Sequence, residues 1–440
     1  MLLIGNGKLL TRDSENPFFE SGAVLTDGTL IKELGGTEEL KSKYPEAEFI
    51  DARGGIIMPG FINAHTHIYS ALARGLSIPG YSPRNFYEIL DGMWWHIDRR
   101  LTLSGTRASA MATVIDCIKQ GVTTIFDHHA SYGGIKGSLF EIADISRKYG
   151  IRACLCYEVS DRDGADKCRE AIDENTDFIK WAAENGEDDL RAMFGLHAAF
   201  TLSDKTLEEC RKANDGKAGF HIHVCEGLND VEDSARFGLK TVERLDRFGI
   251  LGDRTILGHC IHIDEGEMDI IRQRGSMVVN NPESNMGNAV GCSPVLKMFE
   301  KGLTVGLGTD AYTNDMLESI KVALCIQRHN AGMPNVGWVE VTDMLFKNNP
   351  VIAGLFFGIP IGVLKPGAAA DIIVMDYKPF TPFSGANADG HMLFGMAGRQ
   401  CRTTVARGRA LMIDGVLTDI DEEAANAEIM AEAKKLWASL

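Results

Sequence analysis

The chain has 440 residues, of which 45% are hydrophobic, so it can form a barrel-sized domain together with a smaller unit. Its formal net charge of −16 argues against a nucleic-acid partner, because binding to a phosphate backbone depends on clustered lysine and arginine. No apolar stretch approaches the roughly 18 residues of a membrane span, and the first residues lack the layout of a signal peptide. We therefore expect a cytoplasmic protein with no membrane partner.

Both ends of the sequence consist of short apolar strands separated by turn signals such as Asp27-Gly28 and Gly35-Gly36. Neither end is long enough for a sandwich of its own. Because chain termini often meet in space, we predict one small β-sandwich domain built from residues 1–57 and 360–420. Residues 421–440 are rich in alanine and glutamate and are predicted to form a C-terminal helix.

The middle of the chain, residues 58–359, alternates apolar strands with helical segments. Helical periodicity is clear at 104–120, 141–149, 165–183 and 230–248. Eight strands alternating with helices predict an α/β fold with a parallel sheet, specifically a (β/α)8 TIM-like barrel. The predicted strands are 56–63, 123–127, 152–158, 192–197, 220–224, 255–259, 277–280 and 305–309.

Candidate metal ligands recur at the predicted strand ends, where barrel enzymes carry their chemistry. His65 and His67 follow the first strand, and they face the same way if the strand continues, because side chains alternate. Strand five carries His223, and strand eight is followed by Asp310. Three imidazole nitrogens and one carboxylate oxygen suit zinc or ferrous iron. We predict one divalent metal ion, with zinc favoured over iron.

Such an ion lowers the pKa of its water towards ~7 and so supplies hydroxide at neutral pH. Asp310 can orient that hydroxide and take its proton. Glu226 lies three residues after His223, close enough to pass a proton to a departing nitrogen. His259, at the end of strand six, can bind the hydroxide or polarise the carbon under attack. Taken singly, Glu226 could be a solvated charge and His259 a core histidine, but the agreement of four strand ends favours catalysis.

Five sequence motifs contain these residues: Pro59-Gly60-Phe61-Ile62-Asn63-Ala64-His65-Thr66-His67, His223-x-x-Glu226, Gly258-His259-Cys260, Asn281-Pro282-Glu283-Ser284-Asn285 and Gly308-Thr309-Asp310. These motifs resemble the amidohydrolase superfamily over nearly the whole chain. Within it they are similar to the aminohydrolases, which include chlorohydrolases and adenosylhomocysteine, methylthioadenosine, guanine and 8-oxoguanine deaminases. The overall pattern is closest to an aminohydrolase subgroup named for an association with selenium metabolism.

The resemblance implies that one metal ion binds His65, His67, His223 and Asp310 and that catalysis involves Glu226, His259 and Asp310. Dinuclear members place a carboxylated lysine at the end of strand four, where this chain has Gly195-Leu196-His197. The resemblance therefore implies a mononuclear site. It also implies a homodimer or larger assembly.

The sequence departs from the family pattern mainly around the substrate pocket. Met286 and the residues after it replace a Lys-Leu-type sequence, and strand two ends in a histidine pair similar to that of oxopurine deaminases. Trp94 and neighbouring aromatic residues could form a wall over a planar ring or could simply pack helix to barrel. We predict that the substrate is contacted by His128, His197, Trp94 and Asn285.

Three hypotheses follow for function. The leading one is hydrolytic deamination of a small purine-like or pteridine-like heterocycle, in which hydroxide attacks an sp² carbon and ammonia leaves. The alternative is a cyclic amidohydrolase that opens a ring carbon–nitrogen bond with the same residues. The third, a non-catalytic metal-binding accessory protein, is disfavoured because Glu226 and His259 are unnecessary for binding a metal.

Overall fold

The computed structural model describes residues 1–440 and contains three β-sheets. The eighteen strands, β1 to β18, are Leu2–Leu10, Phe18–Asp27, Leu30–Gly36, Glu48–Asp51, Ile56–Pro59, Phe61–Thr66, Val122–His129, Arg152–Tyr157, Leu190–Ala192, Phe194–Ala198, Phe220–Val224, Ile256–His259, Met277–Asn280, Val305–Leu307, Ile372–Met375, Cys401–Ala406, Arg409–Ile413 and Val416–Leu417.

The α-helices, α1 to α17, are Thr37–Lys43, Phe86–Ile89, Trp95–Asp98, Leu103–Gln120, Ser138–Tyr149, Ala165–Asn185, Asp204–Asn214, Leu228–Ala235, Thr241–Arg247, Glu265–Arg274, Pro282–Gly287, Val295–Glu300, Met316–Ala331, Trp338–Asp343, Asn349–Phe357, Ala388–His391 and Glu422–Ser439. Short 3₁₀ or π segments occupy Ile68–Ala73, Leu90–Trp94, Ala199–Thr201, Met344–Asn348 and Met392–Met396. None of these helices combines the length and apolar character that a membrane span requires.

Two parallel sheets form the centre of the molecule. One has the order β6-β7-β8-β9 and the other the order β10-β11-β12-β13-β14. Every residue of β7 and of β13 is buried, which explains why hydrophobic and polar residues do not alternate along these strands. Isolated parallel bridges join Thr66 to Asp310 and Val159 to Leu196, at the two margins between the sheets. The prediction of an α/β fold with parallel strands is confirmed.

Two strands that the sequence predicted as continuous are divided. The segment 56–63 breaks at Gly60, so that β5 joins one sheet and β6 another. A Cβ atom at Gly60 would lie 2.4 Å from the hydroxyl oxygen of Thr123, and only glycine permits this close passage. The segment 192–197 breaks at Met193, with β9 pairing to β8 and β10 pairing to β11.

The helix predicted over 230–248 is also divided, into α8 and α9. Gly238 lies between them with φ of +67°, in the left-handed region, and this conformation is incompatible with a continuous helix. The predicted C-terminal helix is present as α17. Its Trp437 indole N–H donates to the carbonyl oxygen of Leu72 at 2.7 Å, so the end of the chain packs on the segment that follows His67.

Strands from both ends of the chain share the third sheet, which has nine strands. Its order is β18-β17-β16-β15-β5-β1-β2-β3, with β4 paired to β1. A separate core of 14 buried residues supports it and includes Ile4, Val24, Ile57, Val374 and Val405. That these strands form a β-sandwich domain with the predicted boundaries stays a prediction.

A buried ion pair connects the nine-stranded sheet to the parallel strands. Arg152, at the start of β8, and Asp371, just before β15, are both fully buried, and the Arg152 guanidinium donates to the Asp371 carboxylate. The second carboxylate oxygen accepts the backbone N–H of Arg407 at 2.8 Å. Removing Asp371 would leave the buried Arg152 guanidinium with only Asp188, at 3.5 Å, as a charged partner.

We expect Asp371→Asn to lower the free energy of unfolding by about 3 kcal/mol, because Arg152 would lose its fully buried partner and keep only the partly exposed Asp188, at 3.5 Å. Urea titration followed by circular dichroism measures this. The matched control is Asp414→Asn, which removes the exposed partner of Arg53 and should cost less than about 1 kcal/mol. Equal losses in the two variants would contradict a special role for the buried pair.

Candidate active site

Five predicted site residues meet at the carboxyl ends of the parallel strands. His65 lies in β6 and His67 follows it, His223 and His259 lie near the ends of β11 and β12, and Asp310 follows β14. All five are buried. The backbone N–H of Asp310 donates to the carbonyl oxygen of His65 at 3.0 Å, so the last parallel strand is tied directly to the first.

His67 and His223 direct nitrogen lone pairs to the same point. The Nδ1 of His67 is 2.6 Å from the carbonyl oxygen of His128, and the Nδ1 of His223 is 2.8 Å from that of His197. A carbonyl only accepts, so each Nδ1 carries the hydrogen and each Nε2 is left with a lone pair. The two Nε2 atoms are 3.2 Å apart, and an Asp310 carboxylate oxygen is 3.1 Å from the Nε2 of His67. Three electron-pair donors therefore converge.

His65 adds a third imidazole to this cluster. Its Nε2 is buried and has no hydrogen-bond partner, while its Nδ1 is 2.8 Å from the Nε2 of His221. Donor atoms of His65, His67 and Asp310 all lie within 4.8 Å of one another. The residues His65, His67, His223 and Asp310 could thus hold a divalent cation, and three nitrogens with one oxygen are a donor set that zinc accepts.

Electrostatics at this point favour positive charge. Burial lowers the pKa of His67, but attraction to the Asp310 carboxylate and the hydrogen bond to it outweigh burial and raise that pKa to about 9. Burial likewise raises the pKa of Asp310, yet His67 and His259 hold it well below its usual range. The carboxylate therefore stabilises either a proton on His67 or a cation bound between the two side chains.

Glu226 and His259 lie beside the cluster. The Nε2 of His259 is 3.4 Å from a carboxylate oxygen of Glu226 and 3.5 Å from one of Asp310. Its Nδ1–H donates to the side-chain oxygen of Asn285 at 2.8 Å, and this bond orients the ring. His259 and Asp310 both have positive φ, 67° and 55°, a costly backbone conformation that persists only where its surroundings enforce it.

The Glu226 carboxyl is suited to moving a proton near neutral pH. Burial raises its pKa, His259 opposes this shift, and the Asp310 charge adds to it, so the pKa reaches about 7. The Asn288 side-chain amide donates to the other Glu226 oxygen at 3.3 Å. A carboxyl whose pKa lies near the working pH can both accept and release a proton.

A cavity with aromatic walls opens above these groups. His197 and Trp94, two of the predicted substrate contacts, line it together with Tyr69, Phe86 and Trp95. The rings of Tyr69 and Trp94 meet edge to face with centroids 6.1 Å apart, and those of Trp95 and His197 are 5.9 Å apart. The aromatic residues near Trp94 therefore face the cavity and do more than pack a helix against the sheet.

The other two predicted substrate contacts lie away from the cavity. His128 is fully buried, and its Nε2–H is shared between the carbonyl oxygens of Leu196 at 2.9 Å and His221 at 3.2 Å. Asn285 is engaged by His259 and by Asn280. Hydrogen bonds inside the protein use the Nε2 of His128 and the amide of Asn285, so direct substrate contact by these two residues stays a prediction.

Four residues of the site were not assigned a role from the sequence. His221 orients His65, Asn288 contacts Glu226, and the Ser284 hydroxyl donates to Asp310 at 2.6 Å. Glu158 lines the cavity from the end of β8. The signals were present, since Ser284 lies in the 281–285 motif and Glu158 follows a strand as the other site residues do. The position of Glu158 at the end of a predicted strand therefore marks it as a site residue in the same way as His259 and Asp310.

The fold and the convergent donors define a class of hydrolase built around a bound cation. A model of the Amidohydrolase family matches residues 56–411, and the chain belongs to this family. The match spans all the strands that supply site residues.

Curated relatives align along almost the full chain. A 5′-deoxyadenosine deaminase of Methanosarcina barkeri is 28% identical over 440 residues, covering 99% of this chain and 97% of the relative. A 5-methylthioadenosine/S-adenosylhomocysteine deaminase of Thermococcus onnurineus is 30% identical over 422 residues, covering 94% of each chain. These relatives are named as deaminases; the subgroup associated with selenium metabolism does not appear among them.

Solved structures share the fold. An adenosine deaminase from Xanthomonas campestris with bound zinc superimposes with a TM-score of 0.87 at 22% identity, covering 99% of this chain and 98% of that chain. Atrazine chlorohydrolase from Arthrobacter aurescens, complexed with zinc, superimposes with a TM-score of 0.81 at 22% identity, covering 98% and 100%. At 22% sequence identity, these superpositions establish that the chain shares the fold of these proteins.

We expect His223→Ala to weaken zinc binding by more than about 100-fold, because it removes one of the convergent lone pairs. Zinc retained after dialysis against a graded chelator series, measured by atomic absorption, gives the comparison. His329→Ala, at an exposed position in α13, is the control and should bind zinc as the unmodified protein does. Wild-type zinc retention in His223→Ala would show that the cluster is not the metal site.

Proposed function

We propose that the protein is a metal-dependent aminohydrolase that replaces the amino group on an sp² carbon of a purine-like or pteridine-like heterocycle and releases ammonia. As a member of the Amidohydrolase family it is a hydrolase of carbon–nitrogen bonds other than peptide bonds. The observation that carries the proposal is the meeting of the His67 and His223 lone pairs with the Asp310 carboxylate, beside Glu226 and below an aromatic cavity.

The proposed ligands are His65, His67, His223 and Asp310, for one ion, with zinc preferred to iron. The donor set supports this choice, and so do the zinc-containing structures that share the fold. When bound there, a divalent ion makes hydroxide available near neutral pH and polarises the carbon under attack.

Each remaining group has a proposed task. Asp310 is the proposed acceptor of the proton of the attacking water; Ser284 donates to one of its oxygens, and the other lies beside His67 in the proposed metal site. Glu226, with its pKa of about 7, carries a proton to the departing nitrogen, which leaves as ammonia. His259 holds the oxygen nucleophile, and Asn285 keeps its ring in position. His197 and Trp94 contact the heterocycle from the cavity wall.

The relatives support deamination over the alternative, opening of a cyclic amide. Proteins aligned over nearly the whole chain are named deaminases of 5′-deoxyadenosine or of methylthioadenosine and adenosylhomocysteine. The small-molecule heterocycle is thus the proposed partner. Membership of the selenium-associated subgroup, a cytoplasmic location and assembly as a homodimer or larger oligomer stay predictions.

We propose, in addition, that the two parallel sheets close into a (β/α)8 barrel spanning residues 58–359. The bridges from Thr66 to Asp310 and from Val159 to Leu196 support closure at both margins. The nine-stranded sheet, from residues 1–57 and 360–420, is the proposed composite β-sandwich domain, followed by the helix of residues 421–440.

We expect Glu226→Gln to lower turnover by ~10²–10⁴-fold while zinc content is unchanged, because an amide cannot carry the proton. Ammonia release and zinc content are measured on the same preparation. Glu232→Gln, an exposed change six residues away, serves as the control. Undiminished turnover in Glu226→Gln would reject its catalytic role, and a cellular function that survives this change would favour the accessory-protein hypothesis.

Zinc-loaded and iron-loaded protein should release ammonia from at least one aminated purine, pteridine or pyrimidine in a substrate panel. A coupled glutamate dehydrogenase assay measures the ammonia, and mass spectrometry measures the product. The two reactions give products of different mass, because deamination adds water and loses ammonia, whereas ring opening adds water alone. Ring-opened products without ammonia, formed from cyclic amides, would reject deamination in favour of the alternative.

A further inference from the structure

Glu158 is a buried carboxylate in the cavity that the proposed mechanism does not use. It follows β8, its side chain is only 4% exposed, and it lines the cavity alongside His197. One donor atom from each of Glu158, His197 and His223 falls within a group of atoms at most 4.8 Å apart. Glu158 thus lies next to the proposed metal ligand His223, close to where the reacting carbon would be held.

One oxygen of Glu158 is held by the protein. Arg162 donates to Glu158 Oε1 at 3.2 Å and to both oxygens of Asp98 at 2.5 and 3.3 Å. The guanidinium also lies over the ring of Tyr132, 4.1 Å from its centroid, and faces Trp95 at 5.1 Å. Arg162 is itself 6% exposed, so this arrangement is fixed inside the protein.

The second oxygen of Glu158 has no such partner. Oε2 makes no hydrogen bond within the chain, and the Nδ1 of His128 lies 3.8 Å from it, beyond hydrogen-bond distance. The backbone carbonyl of Glu158 accepts from the Tyr132 hydroxyl at 2.8 Å, which holds the strand end in place. Oε2 is not one of the fully buried atoms that lack a partner, so it is open to the cavity. A ligand that covers this oxygen must supply a donor, because a carboxylate oxygen buried without one is costly.

The charges around the cavity define what that ligand can be. No lysine or arginine lines it, and beyond the proposed cation site its ionisable side chains include three carboxyl groups, those of Glu158, Glu226 and Asp230. Asp230 is already used, since it accepts the backbone N–H groups of Phe200 and Cys225. Aromatic walls and carboxyl groups that lack a donor suit a planar ring that brings N–H groups.

We propose that Glu158 is a specificity-determining residue that accepts a hydrogen bond from a ring N–H of the heterocycle. The substrate class is an amino-substituted oxo-heterocycle, such as a guanine-like or isocytosine-like ring, in which an amide-type N–H adjoins the carbon that bears the amino group. This inference rests on the proposed function. The reaction consumes water, breaks the carbon–amine bond and forms a carbonyl and ammonia.

An N9-substituted adenine ring fits this contact poorly. Its ring nitrogens present only lone pairs, and lone pairs facing the Glu158 carboxylate repel it. The preferred substrate of this chain therefore differs from those of the 28–30% identical relatives, which are named as deaminases of adenosine derivatives. The unpaired oxygen of Glu158 is the reason for this difference in substrate.

The test compares guanine and isocytosine with 5′-deoxyadenosine as ligands of the zinc-loaded protein. Binding is measured by calorimetry on Glu226→Gln protein, in which turnover is suppressed, with and without Glu158→Ala. We expect Glu158→Ala to weaken binding of the two oxo-heterocycles by ~100-fold, Glu158→Gln to weaken it by ~10-fold, and neither change to affect 5′-deoxyadenosine. The matched control is Glu208→Gln, at an exposed position in α7.

Thermal melting and zinc content establish that each variant is folded, and Glu158→Gln decides the question if Glu158→Ala is unstable. Preference for 5′-deoxyadenosine, or an equal loss for all ligands, overturns the inference, while ammonia release from 5′-deoxyadenosine would leave the proposed function standing. Glu158-dependent binding of guanine or isocytosine without ammonia release from any ligand would support the contact and reject deamination.

Discussion

The Nε2 of His67 lies 3.2 Å from the Nε2 of His223 and 3.1 Å from an oxygen of Asp310, and much of the structure serves to keep these atoms there. Like dipoles held this close repel, and a buried carboxylate is costly, so the arrangement is stable only with positive charge at its centre. The strain at His259 and Asp310, both with positive φ, is concentrated at the same point. Backbone strain and repulsion between ligands at the same point are expected where the rest of the fold stabilises a preformed cation site.

The tautomers of the ligating histidines are decided by the backbone. His128 and His197 contribute their carbonyl oxygens to His67 and His223, and these bonds leave the Nε2 atoms free to face one another. His221 does the same for His65 through its side chain. A shell of such bonds fixes ring orientation and raises ligand basicity, so residues that never touch the ion still control its binding.

The cavity must bury several carboxyl groups close together for catalysis and binding, and burying each one makes the burial of the others more costly. Catalysis places Glu226 and Asp310 in a dry interior, and each carboxylate added there raises the cost of the others. Glu158 adds a further carboxyl group, and Arg162 compensates it on one side only, because Arg162 also pairs with Asp98. Carboxyl groups under aromatic walls select among ligands, because a ligand that brings N–H donors relieves the cost of burying them.

The sequence by itself determined the elements and the identity of the metal-site candidates. Buried parallel strands read as apolar runs, and His65, His67, His223 and Asp310 follow such runs, so their convergence could be predicted from local pattern alone. The breaks at Gly60 and Met193 could not, because they depend on which strand lies alongside, as the contact of Gly60 with Thr123 shows. The roles of His128 and Asn285 were likewise decided by tertiary structure. The sequence shows where each histidine lies along the chain. Whether its nitrogens face a cavity or a carbonyl oxygen depends on residues distant along the chain.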